Sequence, residues 1–207
     1  MSASREPAPS SADPVALHSR AEDNLRFIRD TMAQAGAFTS VSGTGTIGAG
    51  LVGLAASVAA SPAIIGPSPR RFLAVWIAAA VVAGAISGLA IRRKARGAGQ
   101  SLVTGPARRF TLAFLPALAA GAVLTVALTM AGQASLLPGT WLVVYGAGIT
   151  AGGAMSVRPV PVMGCAFIVL GTICFALPPE PQRFLLAAGF GGLHIGFGYH
   201  MMRYHGG

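Results

Sequence analysis

Stretches without Asp, Glu, Lys or Arg dominate the chain. They run from Thr31 to Pro69, Phe72 to Ile91, Phe110 to Val157, Pro159 to Pro179 and Phe184 to Met202. A helix needs about 20 apolar residues to cross a 30 Å hydrocarbon layer. The Phe110–Val157 run is long enough for two crossings, and GQASLLPG (Gly132 to Gly139) divides it with turn chemistry. The first run holds one crossing followed by the proline-rich SPAIIGPSP. The pattern predicts an all-α fold, a polytopic membrane bundle of six transmembrane helices at about 40–60, 72–91, 111–131, 139–157, 161–177 and 184–202.

Before the first span the pattern changes. Residues 1–13 are polar and rich in Ser, Pro and Ala, and read as a disordered tail. Asp13-Pro14 then supplies an N-cap and a first-turn proline. Leu17, Ala21, Leu25, Ile28 and Met32 follow at helical spacing, and Glu22/Arg26 and Arg26/Asp30 make i,i+4 pairs. An amphipathic helix lying on the cytoplasmic interface is expected over 14–36, ahead of a six-helix domain over 37–203 and a short tail, 204–207. The N-terminus lacks the early basic region and apolar core of a cleaved secretory signal.

Composition sharpens this picture. Of 207 residues, 53% are apolar and 10% charged, against about 25% charged in a soluble domain. Mean hydropathy is +0.64. The net charge of +9 would suggest nucleic acid in a soluble chain, but the basic residues sit beside apolar runs and no nucleic-acid module is present. They act better as topological signals. With both termini cytoplasmic, Arg92, Arg93, Lys94, Arg96, Arg108, Arg109, Arg158 and Arg203 fall inside, and only Arg70, Arg71 and Arg183 fall outside. The expected location is the cell (inner) membrane, multi-pass, with the lipid bilayer as partner and no nucleic acid.

Small residues are the next signal. Gly45, Ala49, Gly53 and Ser57 form a small-xxx-small stripe in span one, and Gly84/Gly88, Gly148/Gly152 and Gly192/Gly196 give shorter ones. Such stripes let backbones approach closely in lipid. They serve packing within the bundle, or a face for a homo-oligomer or another membrane protein. Pro69-Arg70-Arg71-Phe72-Leu73 and Pro181-Gln182-Arg183-Phe184-Leu185 open spans two and six alike, which suggests three parallel helical hairpins.

Reactive groups are scarce. No acid falls inside a span, which argues against ion-coupled pumping and an intramembrane metal site. No metal or cofactor is expected: a bis-histidine haem needs ligands on opposing helices, and only span six carries histidine. Cys165 and Cys174, nine residues apart on one helix, lie on opposite faces and cannot pair. GTGTIG at Gly43–Gly48 has no preceding strand, so it is no dinucleotide motif. What remains is a set of hydroxyls and one imidazole, Ser42, Thr44, Thr46, Tyr145, Thr150 and His194, able to line a solute path or to satisfy backbone carbonyls.

The segments LRFIRDTMAQAGAFTSVSG, YGAGITAGGAMSVRPVPVMG and GFGGLHIGFGYH resemble a set of small uncharacterised bacterial membrane proteins. That resemblance implies a six-span integral membrane protein and carries no activity with it. The leading functional expectation is a non-enzymatic helix-packing or accessory component. A passive transporter or channel for a small neutral or anionic solute comes second, and a redox or lipid-modifying enzyme using His194 third.

Overall fold

The computed structural model describes residues 20, 22–28, 41–66, 68–97, 99, 102, 105–154 and 156–204. The chain divides into two units, Met1–Gly36 and Ala37–Gly207. In the first, residues 22–28 form a helix, α1, whose Leu25 and Ile28 are exposed. Arg26 lies 3.9 Å from Asp23, one turn away and open to solvent, where screening leaves little energy. The rest of the expected 14–36 helix, with the Arg26/Asp30 pair, lies outside the described residues.

Every regular element described in the second unit is helical: α2 (Gly43–Ala59), α3 (Pro62–Ile65), α4 (Pro69–Gly97), α5 (Gly105–Met130), a 3-10 turn (Ala134–Leu136), α6 (Leu137–Gly153), α7 (Pro159–Phe175) and α8 (Pro179–Leu186). Beyond α8 the helix continues through a π-helical turn (Ala187–Leu193) into α9 (His194–Tyr204). Each of the six expected segments falls on helix. Three helices, Pro69–Gly97, Gly105–Met130 and Ala134–Gly153, are long and apolar enough to cross a membrane, and α2 and α7 are shorter apolar helices.

Local chemistry sets the boundaries. Ser42 caps α2, its side chain accepting from the Gly45 amide at 3.3 Å, which satisfies one of the orphan donors of the first turn. Proline occupies the first turn of α3, α6, α7 and α8, where the missing N–H costs nothing. Gly132, at φ +71°, turns the chain out of α5. Helix α4 overruns its expected end at 91 because Arg92, Arg93, Lys94, Ala95 and Arg96 all favour helix and suit a C-terminal dipole. Lys94 donates from its Nζ to the Val41 carbonyl at 3.2 Å and ties this end to the start of α2.

Packing forms two triplets, each around a glycine-rich central helix. Helix α2 lies between α4 and the π-turn with α9, while α6 lies between α5 and α7. The three-hairpin expectation is therefore corrected: α7 packs chiefly on α6, and the last helix chiefly on α2. The seams explain the choice. A Cβ on Gly43 would stand 2.6 Å from the Gly198 carbonyl oxygen, and one on Gly146 would stand 2.6 Å from that of Gly164. Only glycine permits backbones so close, and close approach supplies the van der Waals contact that drives association in lipid. The triplets meet in a core containing Leu142, Phe167, Cys174 and Leu186, each at 0% exposure.

Candidate functional site

A hydrogen bond between two helices marks the junction of the triplets. Tyr145 on α6 and His194 at the start of α9 approach with Oη 2.7 Å from Nε2. His194 is buried, at 6% exposure. Its surroundings are apolar, which suits a neutral ring. A neutral ring accepting from the tyrosine at Nε2 carries its proton on Nδ1. The carbonyls of Gly189 and Phe190, back along the π-turn, lie near the ring. Even so, Nδ1 makes no hydrogen bond.

Aromatic rings enclose this pair. Phe167 stands 4.9 Å from Tyr145 and 5.3 Å from His194 between ring centroids. Phe190 lies nearly parallel to the imidazole, at 6.2 Å and 18°. Phe190 also meets Trp76, at 5.7 Å. Trp76 meets Trp141 at 6.2 Å, and Trp141 stacks on Phe72 at 5.9 Å and 2°. These edge and offset contacts are the favourable arrangements of ring quadrupoles. The Trp76 indole N–H is buried and, like His194 Nδ1, unpartnered. The seam thus holds two buried ring nitrogens without a hydrogen bond, both on rings that contact Phe190. A buried orphan donor costs about 1–3 kcal/mol, so each calls for an explanation.

The π-turn produces this arrangement. Its i→i+5 bonding widens the helix, and π-turns inside α-helices recur at functional positions. Here it sets Phe190 and His194 over one another and brings the Phe190 carbonyl against Gly53 of α2.

An opening flanks the seam at each end. A crevice of about 340 Å³ includes Phe72, Pro138, Glu180, Gln182 and Arg183. At the opposite, basic end a groove of about 870 Å³ runs between α7 and α9 and includes Leu193, the residue before His194.

Of the six residues expected to line a path, Tyr145 and His194 meet across two helices, while Ser42, Thr44 and Thr46 meet only within the first turn of α2. The other hydroxyls are used locally. Ser42 caps α2 and contacts the Thr44 hydroxyl at 2.9 Å; Thr46 donates to the Ser42 carbonyl, and Thr150 to the Gly146 carbonyl, each at 2.8 Å. Back-bonding of this kind satisfies a hydroxyl within its own helix and leaves no line of polar groups. The stripe Gly45, Ala49, Gly53 and Ser57 is turned into the chain's own bundle. Gly45 faces Ala90 and Ser87 of α4, Gly53 faces Phe190, Ala49 is buried, and Ser57 donates to the Gly53 carbonyl at 2.8 Å. Cys165 is exposed and Cys174 buried, on opposite sides of α7.

Sequence reasoning missed Trp76, Trp141, Phe167 and Phe190. A usable signal existed: both of the chain's tryptophans lie within the first turns of helices that start at the same end of the bundle. No family model, curated protein or solved structure matches the chain.

Proposed function

We propose that the chain is a six-span integral protein of the cell (inner) membrane, with both termini cytoplasmic, that passes a small neutral solute between its two helix triplets without covalent chemistry. The observation that carries this reading is the pair of buried ring nitrogens without a hydrogen bond, Trp76 Nε1 and His194 Nδ1, each on a ring that contacts Phe190. The Trp76 N–H suits a solute with an acceptor oxygen, and the rings named along the seam, none of them on Asp, Glu, Lys or Arg, suit a neutral one. Two points support the topology. The basic residues at the C-terminal ends of α4 and α9 are held beside the start of α2 by the Lys94–Val41 contact and by Gly43 against Gly198. Arg70, Arg71 and Arg183 stand at the other end.

The test is osmotic. In proteoliposomes, shrinkage and recovery after mixing with urea or glycerol should be faster than in protein-free vesicles, and His194→Ala should remove the difference. Recovery equal to that of empty vesicles for both solutes would overturn the transport reading. Impermeant thiol labelling in a chain without Cys165 and Cys174 checks the topology. A cysteine at Ser135 should react from outside, and one at Ser156 only after permeabilisation.

One observation favours an accessory or homo-oligomeric role as the second reading. Gly84 and Gly88 of α4 meet nothing within 4 Å, so a small-xxx-small face points outward on a helix held in the bundle by α2. A discrete dimer in native mass spectrometry, lost on Gly88→Leu, would support it. A monomer in both would overturn it.

A further inference from the structure

The groove between α7 and α9 joins two features that the path through the seam does not use. Its floor is backbone: Gly192 and Gly196 both line it, and a Cβ on either would meet no atom within 4 Å. Its walls are apolar, with Val162 on one side and Phe197 on the other. At its mouth stand Arg158, exposed at the start of α7, and His200.

Charge at this end has one sign. Arg92, Arg93, Lys94, Arg96, Arg108, Arg109, Arg158 and Arg203 belong to it, and among the described residues of this unit the only acid, Glu180, lies at the opposite end. An apolar trough with the Arg158 guanidinium at its mouth complements one ligand chemistry, an acyl chain carrying an anionic head.

We infer that this groove is a binding site for one anionic phospholipid of the cytoplasmic leaflet, its acyl chain along the Gly192–Gly196 floor and its phosphate at Arg158. A bilayer of mixed composition supplies that molecule at depth, and basic recesses between helices on the cytoplasmic side select anionic headgroups. The glycines matter because they leave a trough where larger side chains would make a ridge. The inference rests on the membrane reading above, and its test separates the two.

The experiment uses the full chain extracted in detergent, exchanged into an equimolar mixture of phosphatidylglycerol and phosphatidylcholine, and examined by native mass spectrometry. The wild type should retain one lipid and prefer phosphatidylglycerol. Gly196→Leu should retain none at unchanged thermal stability, because its Cβ enters open space and the rest of the side chain occupies the trough. Arg158→Gln should still bind lipid but lose about fivefold of the headgroup preference, the value of one arginine near an anionic surface. Retention and preference in Gly196→Leu equal to the wild type would overturn the inference while leaving the membrane reading intact. So would a second chain seated on the groove, seen as a dimer that Gly196→Leu abolishes. A protein that purifies without detergent would instead sink the membrane reading itself.

Discussion

Gly53→Ala tests the packing logic most directly, because the added methyl would meet backbone. Its Cβ would stand 2.6 Å from the Phe190 carbonyl carbon and 3.1 Å from the Gly191 nitrogen, where ordinary contact begins at 3.4 Å. Neither partner is the end of a flexible side chain, so α2 and the π-turn must separate by about 0.8 Å, the difference between 2.6 and 3.4 Å. A gap of 0.5–1 Å forfeits about a quarter to a half of the dispersion energy along the seam. Overpacking of this kind costs about 1–3 kcal/mol, and a rigid backbone partner puts Gly53 near the top of that range. The better helix propensity of alanine offsets about 0.8–1.0 kcal/mol. The net loss is about 2 kcal/mol, or about 4–8 °C in Tm for a chain of this size. Gly84→Ala is the matched control: it gains the same propensity, and its Cβ meets nothing within 4 Å. Thermal unfolding in detergent, followed by the fluorescence of Trp76 and Trp141, reads both variants. Equal Tm values for Gly53→Ala and Gly84→Ala would refute the argument that close backbone approach holds α2 to the last helix.

Three further outcomes are expected. Tyr145→Phe removes the partner of His194 Nε2 and leaves a third orphan in the seam; it should destabilise by about 1–2 kcal/mol and slow solute recovery, and unchanged stability would show that the 2.7 Å contact carries no energy. Trp141 donates to Thr125 Oγ1 at 2.8 Å between α6 and α5, so a double-mutant cycle of Trp141→Phe and Thr125→Val should give a coupling of about 0.6–1.7 kcal/mol, with zero coupling counting against the bond. With Cys165 exposed and Cys174 buried, copper-phenanthroline oxidation should form no disulfide within the chain, and an apolar maleimide should label Cys165 first; a mass loss of two hydrogens or equal labelling would contradict the helix faces.

The six helical segments were legible because charge and apolar length are properties of contiguous sequence. Their ends were partly legible: Pro138, Pro159 and Pro179 announce helix starts, whereas α4 runs on through Arg92–Arg96 because basic residues end a hydrophobic run without ending a helix. Pairing was not legible. The glycines of α2 point two ways, Gly45 and Gly48 towards α4, and Gly43, Gly50 and Gly53 towards the π-turn and α9. Spacing alone shows that a face is smooth without showing which helix covers it. For the same reason Tyr145 and His194, drawn from the sequence as separate members of a polar set, turn out to be direct partners 49 residues apart. Thr46 and Thr150 were misleading because a hydroxyl in a helix finds its own carbonyl four residues back before it finds a solute.

The π-turn gives the last helix a property the others lack. In α-helix, removing one residue rotates everything beyond it by about 100°, which would turn a glycine seam away from its partner. A π-turn spends one residue more on each hydrogen-bonded ring. Deleting one glycine within Ala187–Leu193 would therefore relax the turn to α-helix while α8 and α9 keep the faces they present to the core. Phe190 would move out of line with His194 and with Gly53. The segment is spare length in the chain, a place where a single-codon deletion can remove the ring stack and leave the bundle standing.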